Sequence, residues 1–219
     1  TRNVIEALES QAPGSRLLLV GSSEQYAAVE PGSPPLTEAS ALAPQGPYAE
    51  TKAEAERLGF EAAERGLDVV TIRAFNHTGP GQAPLFVAPD FARQIALIEA
   101  GNPALMRVGN LDSIRDFLHV DDVVDAYLRL LNPNIPADTY NIASGVGTRI
   151  GALLDTLAQL SGVAPKIERD EKRWRPADAR VGNADRLQRA TGWRPSRSLK
   201  GLLSELLTYW RGQIQEQGR

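Results

Sequence analysis

The chain has 219 residues and a formal net charge of -3, with 42% hydrophobic and 23% charged residues. Such a balance is typical of one large or two small globular domains, and it excludes a disordered chain, a collagen and a coiled coil. The acidic total argues against a nucleic-acid partner, which requires a basic face. The sequence has no cysteine, and its only histidines are His77 and His119, so we expect no disulfide, thiol nucleophile or metal centre.

No apolar run in the sequence reaches about 18 residues, the length that a membrane span needs. The first residues, Thr1-Arg2-Asn3-Val4, lack the apolar core of a signal peptide. We therefore expect a cytoplasmic protein with no membrane partner.

Helix and strand patterns alternate along the chain. The first half predicts a short helix around 4–8 that stops at Pro13-Gly14, a strand at 17–20, a loop at 31–46, a helix at 47–65, a strand at 67–73 and a helix from Pro89 to Gly101. The second half predicts strands at 105–108, 139–143 and 166–168, and helices at 121–131, from Thr148, after Asn183 and from Ser198. The continuous apolar run at 17–20 is typical of a parallel strand covered on both faces. Alternation of this kind predicts an open parallel sheet, whose ligands bind at the carboxyl ends of the strands.

Chemically useful side chains follow the first predicted strand and begin the helix at 47–65. The strand leads into Gly21-Ser22-Ser23-Glu24, and Tyr48 and Lys52 stand four residues apart. At this spacing they share one helical face, so the ammonium can lie near the phenol oxygen. A cation there favours the phenolate and makes the tyrosine a usable proton donor near neutral pH. Together with the Ser22 hydroxyl, these groups suit carbonyl reduction by a nicotinamide.

The same pair has a simpler interpretation. A tyrosine at the edge of the core beside a solvent-facing lysine is the commoner meaning of this spacing when it occurs alone. The serine at the preceding strand end favours the catalytic interpretation, because parallel strands present their carboxyl ends at one edge of the sheet.

Longer motifs give the chain a family resemblance. Ser22 with Tyr48-x-x-x-Lys52 resembles the extended short-chain dehydrogenase/reductase superfamily, and further motifs follow in that family's order at 73–82, 115–123, 140–145, 175–178 and 192–195. Within the superfamily, the stretch from Phe75 to Gln82 is most similar to the GDP-4-keto-6-deoxy-mannose reductases, which form GDP-rhamnose. The GDP-mannose 4,6-dehydratases are the nearest alternative, and they tend to carry Arg-Arg where this chain has Gly81-Gln82.

The resemblance implies reduction of the C4 ketone of a GDP-4-keto-6-deoxyhexose, with NADP or NAD as the cofactor. Tyr48 would donate the proton, Lys52 would assist it and hold the nicotinamide ribose, and Ser22 would orient the carbonyl. Glu24 occupies the position of the dehydratase base and is also found in reductases, so it does not distinguish them. Phe75 would border the nicotinamide. The implied substrate-binding residues are Asn76, Arg93, Arg115 and Arg175.

Several of these residues also have a structural interpretation. Asn76 fits a turn with the Gly-Pro that follows it. Arg115 fits a surface ion pair with Asp116 or Asp121, and Arg175 fits a solvent-exposed basic run. Structural roles alone are expected for His77, His119, Asp121, Asp122 and Trp193, the two aspartates as residues of a helix start.

The implied fold is α/β: the C-terminal part of a doubly wound Rossmann-type parallel sheet, with a smaller α/β substrate-binding lobe. The dinucleotide-binding portion would comprise 1–77 and 114–145, and the lobe 78–113 and 146–219. No strand and Gly-rich turn for a pyrophosphate is found before the first motif. We therefore expect that roughly 90 to 110 residues of the nucleotide-binding half are absent, which would expose the edge of the strand at 17–20.

Two alternatives to the reductase stay open. One is a dehydratase or epimerase of the same superfamily, and the other is a catalytically silent fragment that binds a sugar nucleotide. The resemblance also implies a homodimer, formed through the helices at 47–65 and 1–10.

Overall fold

The computed structural model describes the backbone of residues 1–217 and the side chains of residues 1–216. Helices and strands alternate through most of the chain. The helices are α1 (Arg2–Gln11), α2 (Gly46–Glu64), α3 (Val87–Glu99), α4 (Val120–Leu130), α5 (Ile150–Ser161), α6 (Asp185–Thr191) and α7 (Leu199–Gln217). The strands are β1 (Arg16–Val20), β2 (Asp68–Ala74), β3 (Asn76–Thr78), β4 (Leu105–Val108), β5 (Ile114–His119), β6 (Thr139–Ile142), β7 (Gly147–Arg149), β8 (Lys166–Arg169) and β9 (Ala179–Arg180). A single turn of 3-10 helix, Ser23–Gln25, follows β1.

The main sheet is parallel, with the strand order β1-β2-β6. A second sheet pairs β5 in parallel with β3 and β9 and antiparallel with β7. The strands β4 and β8 form a separate parallel pair. The prediction of an α/β fold built on parallel strands is confirmed.

The edge strand β1 differs from its sequence pattern. The apolar run predicts a strand covered on both faces, but every residue of β1 is half-buried. Among the described strands β1 pairs only with β2. The other edge of β1 is therefore unpaired among the described strands, and its side chains are less covered than the apolar run predicts.

Several short strands are missing from the sequence prediction, and β5 is the most consequential of them. Its sequence does not read as a buried strand because it contains a charged residue, Asp116, which the fold nevertheless buries completely. The carboxylate accepts hydrogen bonds from the backbone N–H groups of Ser144, Gly145 and Gly182, at 2.8, 2.9 and 3.2 Å. These bonds offset much of the cost of burying the group.

The start of α5 is a second correction. The sequence predicts that Thr148 opens this helix, but Thr148 lies in β7, and α5 begins at Ile150 with Arg149 in the cap position and no side-chain cap. The pairing of β7 with β5 fixes the backbone of this segment in an extended conformation. Tertiary pairing therefore outweighs the local capping preference of threonine.

Hydrophobic packing forms two large clusters. The first surrounds β2 and β6 and includes the fully buried Trp193, whose ring nitrogen donates to the Asp122 carbonyl at 3.0 Å, so its predicted packing role is confirmed. The second joins α3, α5 and α7. In α7 it takes the leucines at 202, 203, 206 and 207, which recur at helical spacing. Burying each of these contributes about 1.5–3 kcal/mol. In residues 1–217 no helix has the length and apolarity needed to cross a bilayer.

Candidate active site

A cleft of about 630 Å³ opens where β1 and β2 end. Its position is the one predicted for ligands of a parallel sheet, beyond the carboxyl ends of the strands. The predicted residues that line it are Ser22, Glu24, Tyr48, Lys52, Phe75 and Asn76. Three segments distant in sequence therefore meet at one site.

The turn after β1 places Ser22 at the cleft. A Cβ on Gly21 would lie 2.6 Å from the Ile72 carbonyl oxygen and overlap the Gln25 side chain, so only glycine fits this close approach. Ser22 caps the 3-10 turn: its hydroxyl accepts from the Glu24 N–H at 3.2 Å, and its own N–H donates to Gln25 Oε1 at 2.7 Å. The serine is thus held at both its backbone and its side chain.

The first turns of α2 present Tyr48 and Lys52. Pro47 is the second residue of the helix, in the first turn, where its lack of an N–H costs nothing. The Lys52 ammonium donates to the Val20 carbonyl at 3.0 Å and lies 5.9 Å from the centre of the Tyr48 ring. Tyr48 is 60% exposed and faces the cleft. The lysine therefore binds the end of β1 and lies over the Tyr48 ring on the same side of α2.

Unpartnered acceptors line the far wall of the cleft. The side-chain carbonyl oxygens of Asn76 and Gln82 are buried and have no hydrogen-bond partner among the described residues. Asn76 belongs to β3, where it pairs with Phe117, so it is a strand residue and not a turn residue. A buried acceptor without a partner is costly, and a polar ligand would satisfy it. Beside the aromatic edge of Phe75 and the Lys52 ammonium, these atoms fit a nucleotide cofactor or a sugar.

Glu24 has a partner that the sequence does not reveal. Its carboxylate forms an ion pair with Arg180 of β9 at 2.5 Å, and the Arg180 side chain is only 12% exposed. Arg180 also lies 4.0 Å from Asp178, which binds Arg115 at 2.7 Å. A line of alternating charges therefore runs from the cleft to β5.

None of the three predicted arginines lines the cleft. Arg115 pairs with Asp178, so the expected surface pair with Asp116 or Asp121 is wrong. The parallel pairing of β5 with β9 brings Asp178 close to Arg115. Arg175 is exposed and donates to the backbone oxygens of residues 172 and 174, and Arg93 is half-buried on α3.

The cleft also contains residues that sequence reasoning missed. They are Gln45, His77, Gln82, Phe86 and Tyr127. Burial raises the pKa of Tyr127, and the neighbouring Tyr48 adds to the rise, so Tyr127 stays a neutral phenol. In the sequence Tyr127 is one more residue of an amphipathic helix, and nothing there distinguishes it. His77 lies 2.9 Å from the Phe75 carbonyl through Nδ1, while His119 accepts from the Asp121 N–H and caps α4.

The described residues hold no group of three histidine, aspartate or glutamate side chains close enough to bind a metal ion together. The residues at the cleft are instead proton donors, acceptors and one ammonium. This set can bind a polar ligand and move a proton to or from it.

Comparison with known proteins gives consistent matches. A family model described as GDP-mannose 4,6 dehydratase matches residues 1–206. The GDP-6-deoxy-D-mannose reductase of Pseudomonas aeruginosa is 36% identical over 221 residues, a match that covers 99% of this chain and 73% of the reductase. GDP-mannose 4,6 dehydratase 2 of Arabidopsis thaliana is 29% identical, and that match covers 85% of this chain and 50% of the dehydratase.

Solved structures agree with the sequence matches. The structure of RMD from Pseudomonas aeruginosa complexed with NADPH superposes with a TM-score of 0.90 at 35% identity, covering 97% of this chain and 72% of that one. A putative epimerase from Burkholderia cenocepacia J2315 gives a TM-score of 0.87 at 30% identity, covering 96% and 68%. The family model spans nearly the whole chain, and the chain therefore belongs to the GDP-mannose 4,6 dehydratase family.

Proposed function

We propose that this protein reduces the C4 ketone of a GDP-4-keto-6-deoxyhexose with NADPH or NADH and forms a GDP-deoxyhexose such as GDP-rhamnose. The observation that carries the proposal is the meeting of Ser22, Tyr48 and Lys52 in one cleft. The similarity to the GDP-6-deoxy-D-mannose reductase over 99% of the chain supports it. The activity is therefore that of an oxidoreductase of the extended short-chain dehydrogenase type.

The protein's own side chains supply the proton that the ketone oxygen receives. Tyr48 donates its phenolic proton to the C4 oxygen as the ketone is reduced. The Lys52 ammonium, near the ring, stabilises the phenolate that remains. The Ser22 hydroxyl donates a second hydrogen bond to the same oxygen and fixes the orientation of the carbonyl. Positioned acid catalysis of this kind contributes about 10²–10⁴-fold in rate.

A nicotinamide cofactor, when bound, supplies the hydride. We propose that Tyr48, Lys52 and Phe75 contact it. The Lys52 ammonium, the Phe75 ring and the unpartnered side-chain oxygen of Gln82 all line the cleft and support this fit. Either NADP or NAD is compatible with these residues.

Substrate binding is proposed for Asn76, Arg93, Arg115 and Arg175, because an arginine fork matches the paired oxygens of a diphosphate. Arg115 is already linked to the cleft through Asp178, Arg180 and Glu24. We propose a substrate lobe formed by 78–113 and 146–219 and a dinucleotide-binding part formed by 1–77 and 114–145. The hydrophobic cluster that joins α3, α5 and α7 supports this division, since nearly all of its members belong to the lobe.

A dehydratase is the second candidate function, and Glu24 is the observation that favours it. This carboxylate lines the cleft, where it could take a proton from C5 of a sugar.

We also propose a cytoplasmic homodimer that pairs through α1 and α2. Exposed apolar side chains on these helices, Val4 at 55% and Phe60 at 44%, support such an interface. Size-exclusion chromatography with light scattering tests the assembly, and Phe60→Glu should shift a dimer to a monomer. An unshifted elution would reject this interface.

The activity is tested by incubating the purified protein with GDP-4-keto-6-deoxymannose and NADPH or NADH. We expect loss of reduced cofactor and a GDP-deoxyhexose whose C4 carries a hydroxyl, identified by NMR. A parallel incubation with GDP-mannose and NADP or NAD tests the dehydratase, which would yield a keto sugar. Binding of GDP by calorimetry without turnover in either incubation would identify a binding module and reject the proposal.

A further inference from the structure

A cluster of three buried polar side chains lies beneath the cleft. Gln25, Glu56 and Arg73 are 0%, 2% and 5% exposed. We name them the Gln25 cluster. They come from three elements, the 3-10 turn after β1, helix α2 and strand β2. None of the three lines the cleft, so the proton chemistry does not use them directly.

Each bond in the Gln25 cluster fixes the next. Gln25 Oε1 accepts from the Ser22 N–H at 2.7 Å, and Gln25 Nε2 donates to Glu56 Oε2 at 2.8 Å. Glu56 in turn receives two bonds from the Arg73 guanidinium, at 2.5 and 3.1 Å. The amide of Gln25 has therefore one orientation only, because its oxygen must face the Ser22 N–H and its nitrogen must face a carboxylate.

The cluster joins the segments that carry the proposed catalytic groups. Glu56 stands four residues after Lys52 and eight after Tyr48, so all three share one side of α2. Through Gln25 the same carboxylate reaches the turn of Ser22, and through Arg73 it reaches the strand that ends before Phe75. The buried Glu56 carboxylate thus connects helix α2 with the turn of Ser22 and with strand β2.

Stability alone is a weak reason for such an arrangement. Taking two charges out of water costs about as much as their attraction returns, and well-packed apolar residues often serve equally well. What the charged cluster adds is a defined geometry, because each polar atom has one partner direction. This defined geometry can fix the distance between the Ser22 and Tyr48 side-chain oxygens. Both oxygens must reach the same ketone oxygen of the substrate.

We propose that Gln25, Glu56 and Arg73 are positioning residues that set Ser22 relative to Tyr48. The inference rests on the proposed reductase function for its kinetic consequence. Its structural consequence is independent of that function: the Ser22 amide is protected from solvent by Gln25.

The first test replaces Gln25 with methionine, which has a similar length but neither donor nor acceptor. We expect hydrogen exchange at the Ser22 amide, followed by NMR, to become at least about tenfold faster, because its acceptor is lost. The kcat for the keto sugar should fall at least about tenfold, while the KM stays within about twofold, since the lost contact acts on the reacting geometry and not on substrate binding.

The second test is Gln25→Glu, which remains informative even if the methionine variant does not fold. The only charged group that contacts the Gln25 side chain among the described residues is Glu56 of α2. Arg73 of β2 pairs with that carboxylate and also donates to the Tyr26 hydroxyl, while the Lys52 ammonium donates to the Val20 carbonyl. In this variant a protonated carboxyl group at position 25 can accept from Ser22 and donate to Glu56 as the amide does, whereas an ionised carboxylate there faces a second carboxylate. We expect the kcat of the variant to be within about threefold of the wild-type kcat at low pH and at least about tenfold below it at higher pH. The pH profile of the variant should therefore show an ionisation that the wild type lacks.

A matched control removes an ion pair at the opposite end of the same two strands. Asp68→Asn breaks the pair with Arg16, whose atoms are 2.7 Å apart at the start of β1 and β2. It should lower the melting temperature and leave both Ser22 exchange and kcat unchanged. If Gln25→Met behaves like this control, with unchanged Ser22 exchange, the proposal is wrong. If the wild type has no reductase activity but Ser22 exchange responds as expected, the proposed function fails and the positioning role stands.

Discussion

The proposed catalytic groups and the proposed phosphate-binding arginines occupy different surroundings. Ser22, Tyr48 and Lys52 line one cleft at the ends of β1 and β2. Arg115 lies outside its lining, bound to Asp178, and Arg175 is exposed with its guanidinium on backbone oxygens. The first group faces one open cleft, while Arg115 and Arg175 are held by the protein's own acceptors.

The difference has a simple physical origin. Tyr48 and Lys52 are related by one turn of helix, and a strand end delivers Ser22, so local geometry brings them together. The arginines are carried by separate segments: Arg115 pairs with Asp178 across the sheet, while Arg175 donates to backbone oxygens of its own loop. A substrate diphosphate that binds Arg115 would therefore have to compete with Asp178.

The largest expected effect is on the catalytic side. Tyr48→Phe removes the proposed proton donor and should lower kcat by at least about a hundredfold, within the range of acid catalysis. Steady-state kinetics with the keto sugar measure it. Tyr127→Phe, on a neutral phenol of the same cleft, is the control and should retain most of the activity. An unchanged rate in Tyr48→Phe would end the proton-donor role.

The next expected effect is on stability, through the buried hydroxyl of Tyr26. The Tyr26 hydroxyl donates to Asn141 Oδ1 at 2.7 Å and accepts from Arg73 at 3.1 Å. Tyr26→Phe leaves both groups short of a partner and should lower the free energy of unfolding by about 1–3 kcal/mol, as measured by urea unfolding.

Tyr26 also predicts an alkaline pH dependence. Burial raises the pKa of Tyr26 above its ordinary value of 10.0, although the hydrogen bond from Arg73 opposes the rise. The unfolded chain therefore loses this proton at a lower pH than the folded protein, and stability falls as the pH rises above about 10. Tyr26→Phe should make this fall shallower. An identical slope in the variant would show that Tyr26 does not cause it.

A smaller effect is expected on the arginine side. Arg115→Ala should raise the KM for the nucleotide sugar about tenfold and leave kcat within about twofold, as the loss of a ground-state contact does. Arg107→Ala, at an exposed pair with Glu168, is the control and should change neither constant. A change confined to the KM of the cofactor would reject substrate binding by Arg115.

The smallest effect is expected for an exposed ion pair that does not line the cleft. Asp125 and Arg129 lie four residues apart on α4, with atoms 2.9 Å apart and roughly half-exposed side chains. Asp125→Asn should change the free energy of unfolding by less than about 0.5 kcal/mol. A loss as large as that of Tyr26→Phe would contradict the ranking of buried and exposed contacts.

Local signals predict the fold well where they are strong. The boundaries of β2, β4 and α2 lie within about one residue of the sequence prediction, because apolar runs and Pro or Gly mark their ends. The strand β5 escapes because it buries a charged residue, and β9 is only two residues long. The sequence also offers no sign of the ion pair between Glu24 and Arg180, because these residues are far apart in the chain and only the folded structure brings them together.

The most direct test of the account is a crystal structure of the protein with its oxidised cofactor and GDP-rhamnose. We expect the Ser22 and Tyr48 side-chain oxygens both to lie about 2.6–3.2 Å from the C4 oxygen of the sugar, the range for proton transfer. A sugar whose C4 oxygen contacts neither residue, or one seated outside the cleft of β1 and β2, would contradict it.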